Sequence, residues 1–461
     1  MFKRKKFLFG AVAALSLSAL VACSNDDNGN DNSQDSGDKI ELKVMLTPQW
    51  KGVLNGDEAG ADYDSFFNHA AELFEKENEN VDITVEVVAG DQRDELLNVS
   101  LNGGSPPDLF FESVFAMGDY AHRGALVPIT DIVDDAARAD IDQGYWDSVT
   151  FGDEVYFYPF SHNPGTLVYN ADMFKAAGLE KFVGAEDEIK TWTLAEYEEI
   201  LAALKENLPN TDYKNANPMG LFALNNQGDT WNLSYLRMFG NKFFNNDGEI
   251  VLDDANGVKA AEWMLKIYEN GYTNPGAESV SSNDINALFQ NQQVAISFTN
   301  PILFNNAKAD MEAGKLNEFD MRIANIPSES GDPLTFTYVT GIAVFDTKDE
   351  ERIKMSKEFA KFVSTNEELI KSSKNGIPVR KSVALMFESE NPMFQAYAEN
   401  GQYIFNFTGN VPGYSQLRQV LYPELQAMYT KQITPAEMVK NYQEKGNAVI
   451  KEAKADSVIY K

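Results

Sequence analysis

Few side chains in this sequence could act as nucleophiles or as ligands of a transition metal. It contains three histidines, His69, His122 and His162, which lie far apart along the chain, and a single cysteine, Cys23. Transition-metal sites are built from clusters of imidazole and thiolate groups, so this spacing indicates no such site. The sequence also has no Gly-x-Ser-x-Gly elbow and no His-Glu-x-x-His helix. We therefore predict no metal, no cofactor and no catalytic residue.

Other side chains are better suited to holding a ligand than to transforming it. Glu112 directly follows the apolar run 109–111, and a carboxylate at the end of a buried strand needs polar partners. Trp231 lies in the polar segment 227–232, where a large aromatic ring is less often part of a core. Flat rings and planar polar groups in such positions favour a small-molecule binding site.

Two other functions remain open from the residues alone. The 70 acidic residues could include a pair of carboxylates at the spacing of a glycoside hydrolase, roughly 5–9.5 Å. The same acidity suits a polyamine, because carboxylates and aromatic rings hold ammonium groups. The acidic segment 245–249 lacks the spacing of a calcium loop and predicts a hairpin turn around Asp247 and Gly248.

The first 23 residues have the features of an export signal. Residues 3–6 are basic, and residues 7–19 form an apolar run that is too short for a stop-transfer helix. Residues 20–23, Leu-Val-Ala-Cys, resemble the cleavage box of bacterial lipoproteins. The resemblance implies that residues 1–22 are removed and that Cys23 is acylated, palmitate being one such acyl group. We expect a lipid-anchored protein on the extracellular face of the cytoplasmic membrane of a Gram-positive bacterium. The alternative is an ordinary secretory leader with a chance cysteine.

The rest of the composition describes a soluble body on a polar tether. Residues 24–38 carry no apolar side chain and cannot bury enough surface to fold, so we predict a flexible tether over 23–39. Loss of the four positive charges of the leader would take the formal net charge from −31 to −35. Such acidity argues against binding to nucleic acid or to anionic lipid. No later apolar run approaches the ~20 residues of a membrane span. We expect attachment by lipid alone.

Strand and helix patterns alternate along the body, which is typical of α/β layers. Residues 40–46 and 81–88 predict strands, and a helix is predicted to begin at Asp64. Thr193 and Thr434 each precede a glutamate by three residues, which predicts capping boxes at two further helix starts. A body of roughly 420 residues is too long for one core and fits two domains.

Short segments spread over residues 40–455 resemble, in order, the motifs of extracellular solute-binding proteins of family 1, the maltodextrin-binding-like proteins of sugar ABC importers. No single segment is specific, and it is their order along the chain that carries the resemblance. One departure is 291–296, where the family usually has Gly and Ala-Met. The matching segments include 103–111 (Gly-Gly-Ser-Pro-Pro-Asp-Leu-Phe-Phe), 124–129 (Gly-Ala-Leu-Val-Pro-Ile), 169–174 (Tyr-Asn-Ala-Asp-Met-Phe), 191–196 (Thr-Trp-Thr-Leu-Ala-Glu) and 376–380 (Gly-Ile-Pro-Val-Arg).

The resemblance implies an α/β fold of the bilobal periplasmic-binding-protein type II class, with a hinge and an interlobe cleft. Carried over, it places lobe one at 40–158 and 301–365 and lobe two at 159–300 and 366–461. Crossovers then fall near Pro159, Asn300 and Thr365. It also implies a monomeric, non-enzymatic protein that closes on an oligosaccharide and delivers it to ABC transporter permease subunits.

The resemblance further implies which residues contact the ligand. Asn163 stands where the family has an acidic contact, and Asn300 stands where many relatives carry a stacking tryptophan. Three candidates also have a purely structural interpretation: Trp50 could pack in a core, Asp91 could cap a helix, and Arg418 could pair with a carboxylate. The predicted ligand-binding residues are Trp50, Asp91, Glu112, Phe115, His162, Asn163, Trp231, Asn300, Tyr338, Gly341, Tyr414 and Arg418.

Overall fold

The computed structural model describes residues 39–53, 62–90, 92–224, 228–373, 376–384, 393, 396–397 and 400–461. The leader, Cys23, nearly all of the predicted tether and the predicted contact Asp91 lie outside these residues. Within them, every helix is either too short or too polar to span a bilayer.

The strands alternate with helices along the chain, as the sequence predicts. In chain order the strands are β1 (Ile40–Leu46), β2 (Val81–Val87), β3 (Leu109–Ser113), β4 (Thr150–Phe151), β5 (Glu154–Val155), β6 (Phe157–Asn170), β7 (Ile189–Lys190), β8 (Asn217–Met219), β9 (Val294–Thr299), β10 (Met321–Ala324), β11 (Thr335–Val344), β12 (Ile377–Pro378) and β13 (Ile404–Phe405).

The helices lie between and after the strands along the chain. They are α1 (Ser65–Glu77), α2 (Arg93–Asn102), α3 (Val114–His122), α4 (Asp135–Asp140), α5 (Gln143–Val149), α6 (Ala171–Ala176), α7 (Leu194–Asn207), α8 (Asp229–Leu236), α9 (Ala255–Glu269), α10 (Ser282–Gln290), α11 (Pro301–Glu312), α12 (Glu350–Thr365), α13 (Glu367–Ser372), α14 (Lys381–Ala384), α15 (Tyr414–Tyr429) and α16 (Pro435–Asp456).

Local sequence signals account for several of these boundaries. Asp64 precedes the first residue of α1, and Thr193 and Thr434 form complete capping boxes at the starts of α7 and α16. Each threonine hydroxyl accepts from the backbone N–H three residues on, and the glutamate there accepts from the threonine backbone, so two otherwise unpaired N–H groups are satisfied. At 245–249 the Asn245 side chain accepts from two backbone N–H groups of a tight turn, which confirms the predicted hairpin turn.

One long strand connects two apolar cores. The first half of β6 pairs with β11, and the second half pairs with β9 and β10; every residue of β6 is buried. On the first side β11 continues antiparallel to β3, which is parallel to β1 and β2. On the second side β9 is parallel to β8, and β10 is parallel to β7. The sheet therefore extends from one core into the other.

The two cores use separate stretches of the chain. The first core contains buried apolar residues from 42–160 and 339–383. The second core contains buried apolar residues from 167–336 and 407–450, with a smaller cluster beside it that includes Phe304 and Ile323. Segment 301–324, which the sequence division assigned to lobe one, thus packs beside the second half of β6. The lobe boundaries and the three crossovers stay a prediction.

Candidate ligand-binding site

A cleft of about 740 Å³ lies where residues from both cores meet. Its walls come from the ends of β1 and β3, the middle of β6 and β11, and the first turns of α8, α10 and α11. The lining residues are Thr47, Pro48, Gln49, Gly90, Arg93, Glu112, Ser113, Phe115, Ala116, Asn163, Phe222, Gly228, Trp231, Ser282, Asn283, Asn286, Phe298, Asn300, Ile302, Leu303, Asn306, Tyr338, Thr340 and Arg418.

Aromatic rings from separate elements cluster on one side of this cleft. The ring centroid of Trp231 lies 5.7 Å from that of Phe298 and 6.3 Å from that of Tyr338. Phe115, at the start of α3, packs edge-on against Tyr338 with centroids 4.8 Å apart. Gly228 makes this packing feasible, because its φ is +76° and a Cβ there would lie 2.9 Å from the Phe222 ring. The cluster offers ring surface to an apolar face of a ligand.

On the first-core side, the charged residues are already paired with each other. Glu112 accepts hydrogen bonds from the Thr47 hydroxyl and, at 2.7 Å, from the Ser113 backbone. Its carboxylate lies 3.7 Å from the Arg93 guanidinium. Burial alone would lower the pKa of Arg93, but the hydrogen bond to Asp94 and the charge of Glu112 outweigh it and raise that pKa.

On the second-core side, Arg418 is held by a carboxylate behind the cleft wall. Arg418 Nε donates to Asp229 Oδ1 at 2.8 Å, and the Tyr414 hydroxyl donates to Asp229 Oδ2 at 2.6 Å. Asp229 is only 2% exposed. Burial alone would lower the pKa of Arg418, but the Asp229 charge outweighs burial and raises it. Beside them, Thr230 and Tyr338 share a hydrogen bond of 2.6 Å between their hydroxyls.

Amide side chains provide much of the remaining polar surface. Asn163 Oδ1 and Trp231 Nε1 are both buried and have no hydrogen-bond partner in the protein. Both residues line the cleft, although these two atoms are themselves covered by the protein. Asn300 caps α11, because its side chain accepts from Leu303 N at 3.0 Å. Asn283, Asn286 and Asn306 also line this side.

Seven of the predicted contacts line the cleft, and their contact with a ligand stays a prediction. These are Glu112, Phe115, Asn163, Trp231, Asn300, Tyr338 and Arg418. For Arg418 the alternative interpretation also holds, since it is paired with a carboxylate while it lines the cleft.

The structure places four other predicted contacts away from the lining. Trp50 packs edge-on against Phe66 and Phe111, with centroids 5.4 Å and 5.7 Å away. His162 is 4% exposed and points into the first core. For Gly341, an added Cβ would lie 2.6 Å from the carbonyl oxygen of Tyr158, because the backbones of β6 and β11 pass close together. Tyr414 lies one layer behind the cleft, where it binds Asp229.

Sequence reasoning missed several lining or supporting residues. Arg93 begins a helix just after β2, and Asn283 and Asn286 lie on the first turns of α10. Asp229 was missed although it lies two residues before Trp231. Its type and its position at the first turn of a helix suggest a helix-dipole role, and only the approach of α15 reveals its partner. Over the described residues, no three His, Cys, Asp or Glu side chains are grouped so that they could hold a metal ion.

A second cavity, of about 550 Å³, lies between α3 and the ends of α15 and α16. Its described lining carries four carboxylates, those of Asp94, Asp119, Glu452 and Asp456. Tyr120 lines it too, but its hydroxyl donates to Asp94 at 3.2 Å. Without a cluster of aromatic rings, this cavity is a poorer candidate than the cleft.

Comparison with known proteins agrees with a ligand-binding cleft. Residues 58–369 match the sequence profile described as bacterial extracellular solute-binding protein. A binding protein of Brucella abortus strain 2308 is 22% identical over 453 residues, which is 97% of this chain and 99% of that protein. A lipoprotein of Streptomyces antibioticus is 33% identical over 98 residues, which is 21% of this chain and 22% of that protein.

Solved structures with the same fold include proteins crystallised with sugars. An ABC transporter solute-binding protein of Thermotoga lettingae, bound with α-D-tagatose, aligns with a TM-score of 0.70 at 19% identity and covers 89% of this chain and 99% of its own. The GacH receptor of Streptomyces glaucescens, solved without ligand and with acarbose, aligns with a TM-score of 0.69 at 19% identity and covers 90% of this chain and 100% of its own. The fold is thus the bilobal α/β fold of these proteins.

Proposed function

The chain belongs to the bacterial extracellular solute-binding protein family, and on that premise we propose that it captures an oligosaccharide in the cleft and delivers it to the permease of an ABC importer. Capture takes place by closure of the two cores about the strands that join them. The permease distinguishes the closed, loaded form from the empty one.

The observation that carries this proposal is the composition of the cleft wall. Trp231 and Tyr338 supply ring surface for the C–H faces of a sugar. Asn163 and neighbouring amides supply donors and acceptors for its hydroxyls. The volume of about 740 Å³ is within the usual range for small-ligand sites, and it has room for more than one sugar ring.

A glycoside hydrolase is less well supported by the same wall. Hydrolysis needs two carboxylates facing the glycosidic bond. Among the described lining residues, Glu112 is the one carboxylate, and Arg93 and Thr47 already bind it. Family relatives are substrate-binding proteins as well. We propose a non-enzymatic role.

Ligand-dependent thermal unfolding tests the proposal directly. The purified chain should unfold several degrees higher with some oligosaccharides at 100-fold their Kd, because such binding stabilises by about 2.7 kcal/mol. The sugar should be recovered unchanged. A rise with polyamines only, or steady release of shorter sugars, would contradict it.

A substitution in the aromatic cluster links binding to the cleft. Trp231→Phe keeps a ring in place but removes part of the stacking surface, so we expect about tenfold weaker sugar binding, or ~1.4 kcal/mol. The matched control is Trp192→Phe. Trp192 is a buried second-core residue that stacks on Phe174 and does not line the cleft. Calorimetric titration should show unchanged affinity for the control, and equal losses in both variants would contradict the site.

We also propose that Cys23 carries the lipid anchor of a monomeric protein in a Gram-positive cell. Support comes from the leader pattern and from the lipoprotein name of the Streptomyces relative. Labelling with a clickable palmitate analogue should mark the wild-type chain, and Cys23→Ala should abolish the label and release the protein into the medium. Release of both forms would contradict the anchor.

A further inference from the structure

Each arginine of the cleft already has a carboxylate of the protein as its partner. Among the described lining residues, the charged ones are Arg93, Glu112 and Arg418. Arg93 faces Glu112 at 3.7 Å, and Arg418 is bound by Asp229 at 2.8 Å. Arg93 also donates to Asp94, at 3.0 and 3.1 Å. The two arginines are therefore balanced by three carboxylates, Glu112, Asp94 and Asp229, and neither arginine is left with an uncompensated positive charge.

Asp229 is built into the wall rather than exposed on it. It lies in the first turn of α8, while Arg418 and Tyr414 come from α15. Its two oxygens accept from two different side chains, and its side chain is 2% exposed against 20% for Arg418. A carboxylate held at both oxygens fixes the direction of the guanidinium that it binds. The raised pKa of Arg418 agrees with this pairing.

This pairing is unfavourable for a charged ligand of either sign. A ligand carboxylate would become a second anion beside arginines that are already neutralised, and nothing would repay the loss of its hydration. A ligand ammonium would need Glu112, which Arg93 and Thr47 already bind. By contrast, the neutral amides of Asn283, Asn286 and Asn306, which line the cleft, suit neutral hydroxyl groups.

We infer that the cleft selects uncharged saccharides over acidic and amino sugars, and that Asp229 is the positioning residue that directs Arg418 and cancels its charge. This inference rests on the proposed function. It adds to it the charge of the substrate and a residue behind the cleft wall.

The test uses sets of saccharides of equal length that differ mainly in charge. Three probes of equal length are titrated into the wild-type chain at pH 7: a neutral gluco-oligosaccharide, its form oxidised to carboxylates at C6, and the corresponding glucosamine oligomer. The set is repeated for each linkage that stabilises the protein. We expect the neutral member to bind at least about tenfold more tightly than either charged member.

Asp229→Asn then tests the positioning role. We expect at least about tenfold weaker binding of the neutral probe, and a smaller preference for neutral over carboxylate probes, because Arg418 would lose its counter-charge. Arg418→Lys, which keeps the charge but not the fork geometry, should weaken neutral binding without changing the charge preference. A change of selectivity in Asp229→Asn and none in Arg418→Lys would separate positioning from simple damage to the fold.

The matched control is Glu424→Gln on α15, the helix that carries Arg418. Glu424 is 5% exposed and binds Asn441 and Lys445, and it does not line the cleft. Its loss should leave selectivity unchanged. Equal or tighter wild-type binding of a charged probe would overturn the charge rule alone. If no saccharide binds while a polyamine does, both the charge rule and the proposed function fail. If Asp229→Asn does not fold, Tyr414→Phe removes one of the two hydrogen bonds to Asp229 and takes its place.

Discussion

His162 shows how burial decides the chemistry of a single residue. Its ring lies 3.0 Å from the Tyr145 hydroxyl and 3.1 Å from the Thr337 hydroxyl. Burial, partly opposed by the charge of Asp142, lowers its pKa to about 3. The imidazole is therefore neutral in the folded protein at every ordinary pH. It bonds to two hydroxyl groups beside the first core, and it is not among the residues that line the cleft.

The lowered pKa makes stability depend on pH. An unfolded histidine takes up a proton near pH ~6.5, so unfolding is favoured as the pH falls from there towards about 3. The stabilisation is complete above pH ~6.5, and each pH unit below costs up to about 1.4 kcal/mol for one proton. The measurement is guanidinium unfolding between pH 4.5 and 6.5. In the His162→Gln variant, the slope of the unfolding free energy against pH should correspond to about one proton fewer taken up on unfolding than in the wild type.

His69 provides the control, because it is exposed on α1. His69→Gln is measured in the same way, as the comparison for loss of a histidine at the surface. The buried His122, whose pKa burial also lowers, should keep part of the slope in the His162 variant. The window ends at pH 4.5 because carboxylates with lowered pKa, such as Asp140, begin to contribute below it. An unchanged slope in His162→Gln would contradict the argument.

At this scale, the sequence predicted residues whose neighbours along the chain reveal their surroundings. Glu112 ends an apolar run and Trp231 lies in a polar loop, and both line the cleft. The pairing of Asp229 with Arg418 could not be predicted, because the two residues are 189 positions apart and meet only through packing. His162 was also predicted to be a contact, and it does not line the cleft. A polar residue after an apolar run can equally be paired inside a core, and its sequence neighbours do not distinguish the two cases.

Among the elements, α12 packs on the sheet through apolar residues such as Phe359 and is also bound to it by one buried carboxylate. Asp108, directly before β3, is 0% exposed. It accepts from Arg352 Nε at 2.9 Å, from Arg352 Nη2 at 2.6 Å and from Lys43 N at 2.8 Å. The fork from α12 and the backbone of β1 thus converge on this one side chain. Its position in a Pro-Pro-Asp segment marks a structural joint rather than a ligand contact.

Removing that charge should destabilise the protein strongly. Asp108→Asn leaves the guanidinium without its counter-ion. We expect a loss of about 2 kcal/mol, less than the ~3–5 kcal/mol of a fully buried pair, because the Arg352 side chain is 37% exposed and can be solvated. The comparison is Asp131→Asn, whose ion pair with Lys357 is 65% exposed on the aspartate side and should cost less than about 1 kcal/mol. Urea unfolding followed by circular dichroism measures both. Similar losses would show that α12 does not depend on this pair.

The sequence predicts helix starts well because a capping box lies within four residues. Thr193 and Thr434 are two such cases. It does not predict that β6 serves two cores, since a continuous apolar run shows that both faces are buried but not against what. The same limit applies to the lobe boundaries, which depend on which strand pairs with which half of β6.

For the molecule as a whole, the shared strand should make unfolding a single event. The second half of β6 pairs with β9, and its first half pairs with β11, which in turn pairs with β3. We therefore expect loss of the second core to disturb the first. Scanning calorimetry of the unliganded protein is expected to show one transition. Two resolved peaks would mean that the cores unfold independently.

A glycine of β6 allows this coupling to be tested. At Gly165 an added Cβ would lie 2.1 Å from the Phe336 ring, so Gly165→Ala should lower the whole transition by about 1–3 kcal/mol of stability without splitting it. Gly144→Ala is the control, because nothing lies within 4 Å of its added Cβ. A split transition in the Gly165 variant would contradict the coupling.

The pairing of β3 with β11 also governs when the chain can fold. Phe111 lies opposite Ile342, and the first core further needs residues 339–383. Contacts between residues so far apart in the sequence form slowly, because a long loop must close, at a cost in entropy, before these contacts can stabilise the chain. A nascent chain that ends before β11 therefore has no way to complete its first core. Completion of the first core is thereby delayed until β11 and the residues after it have been made, and such a delay suits the export that we propose for this chain.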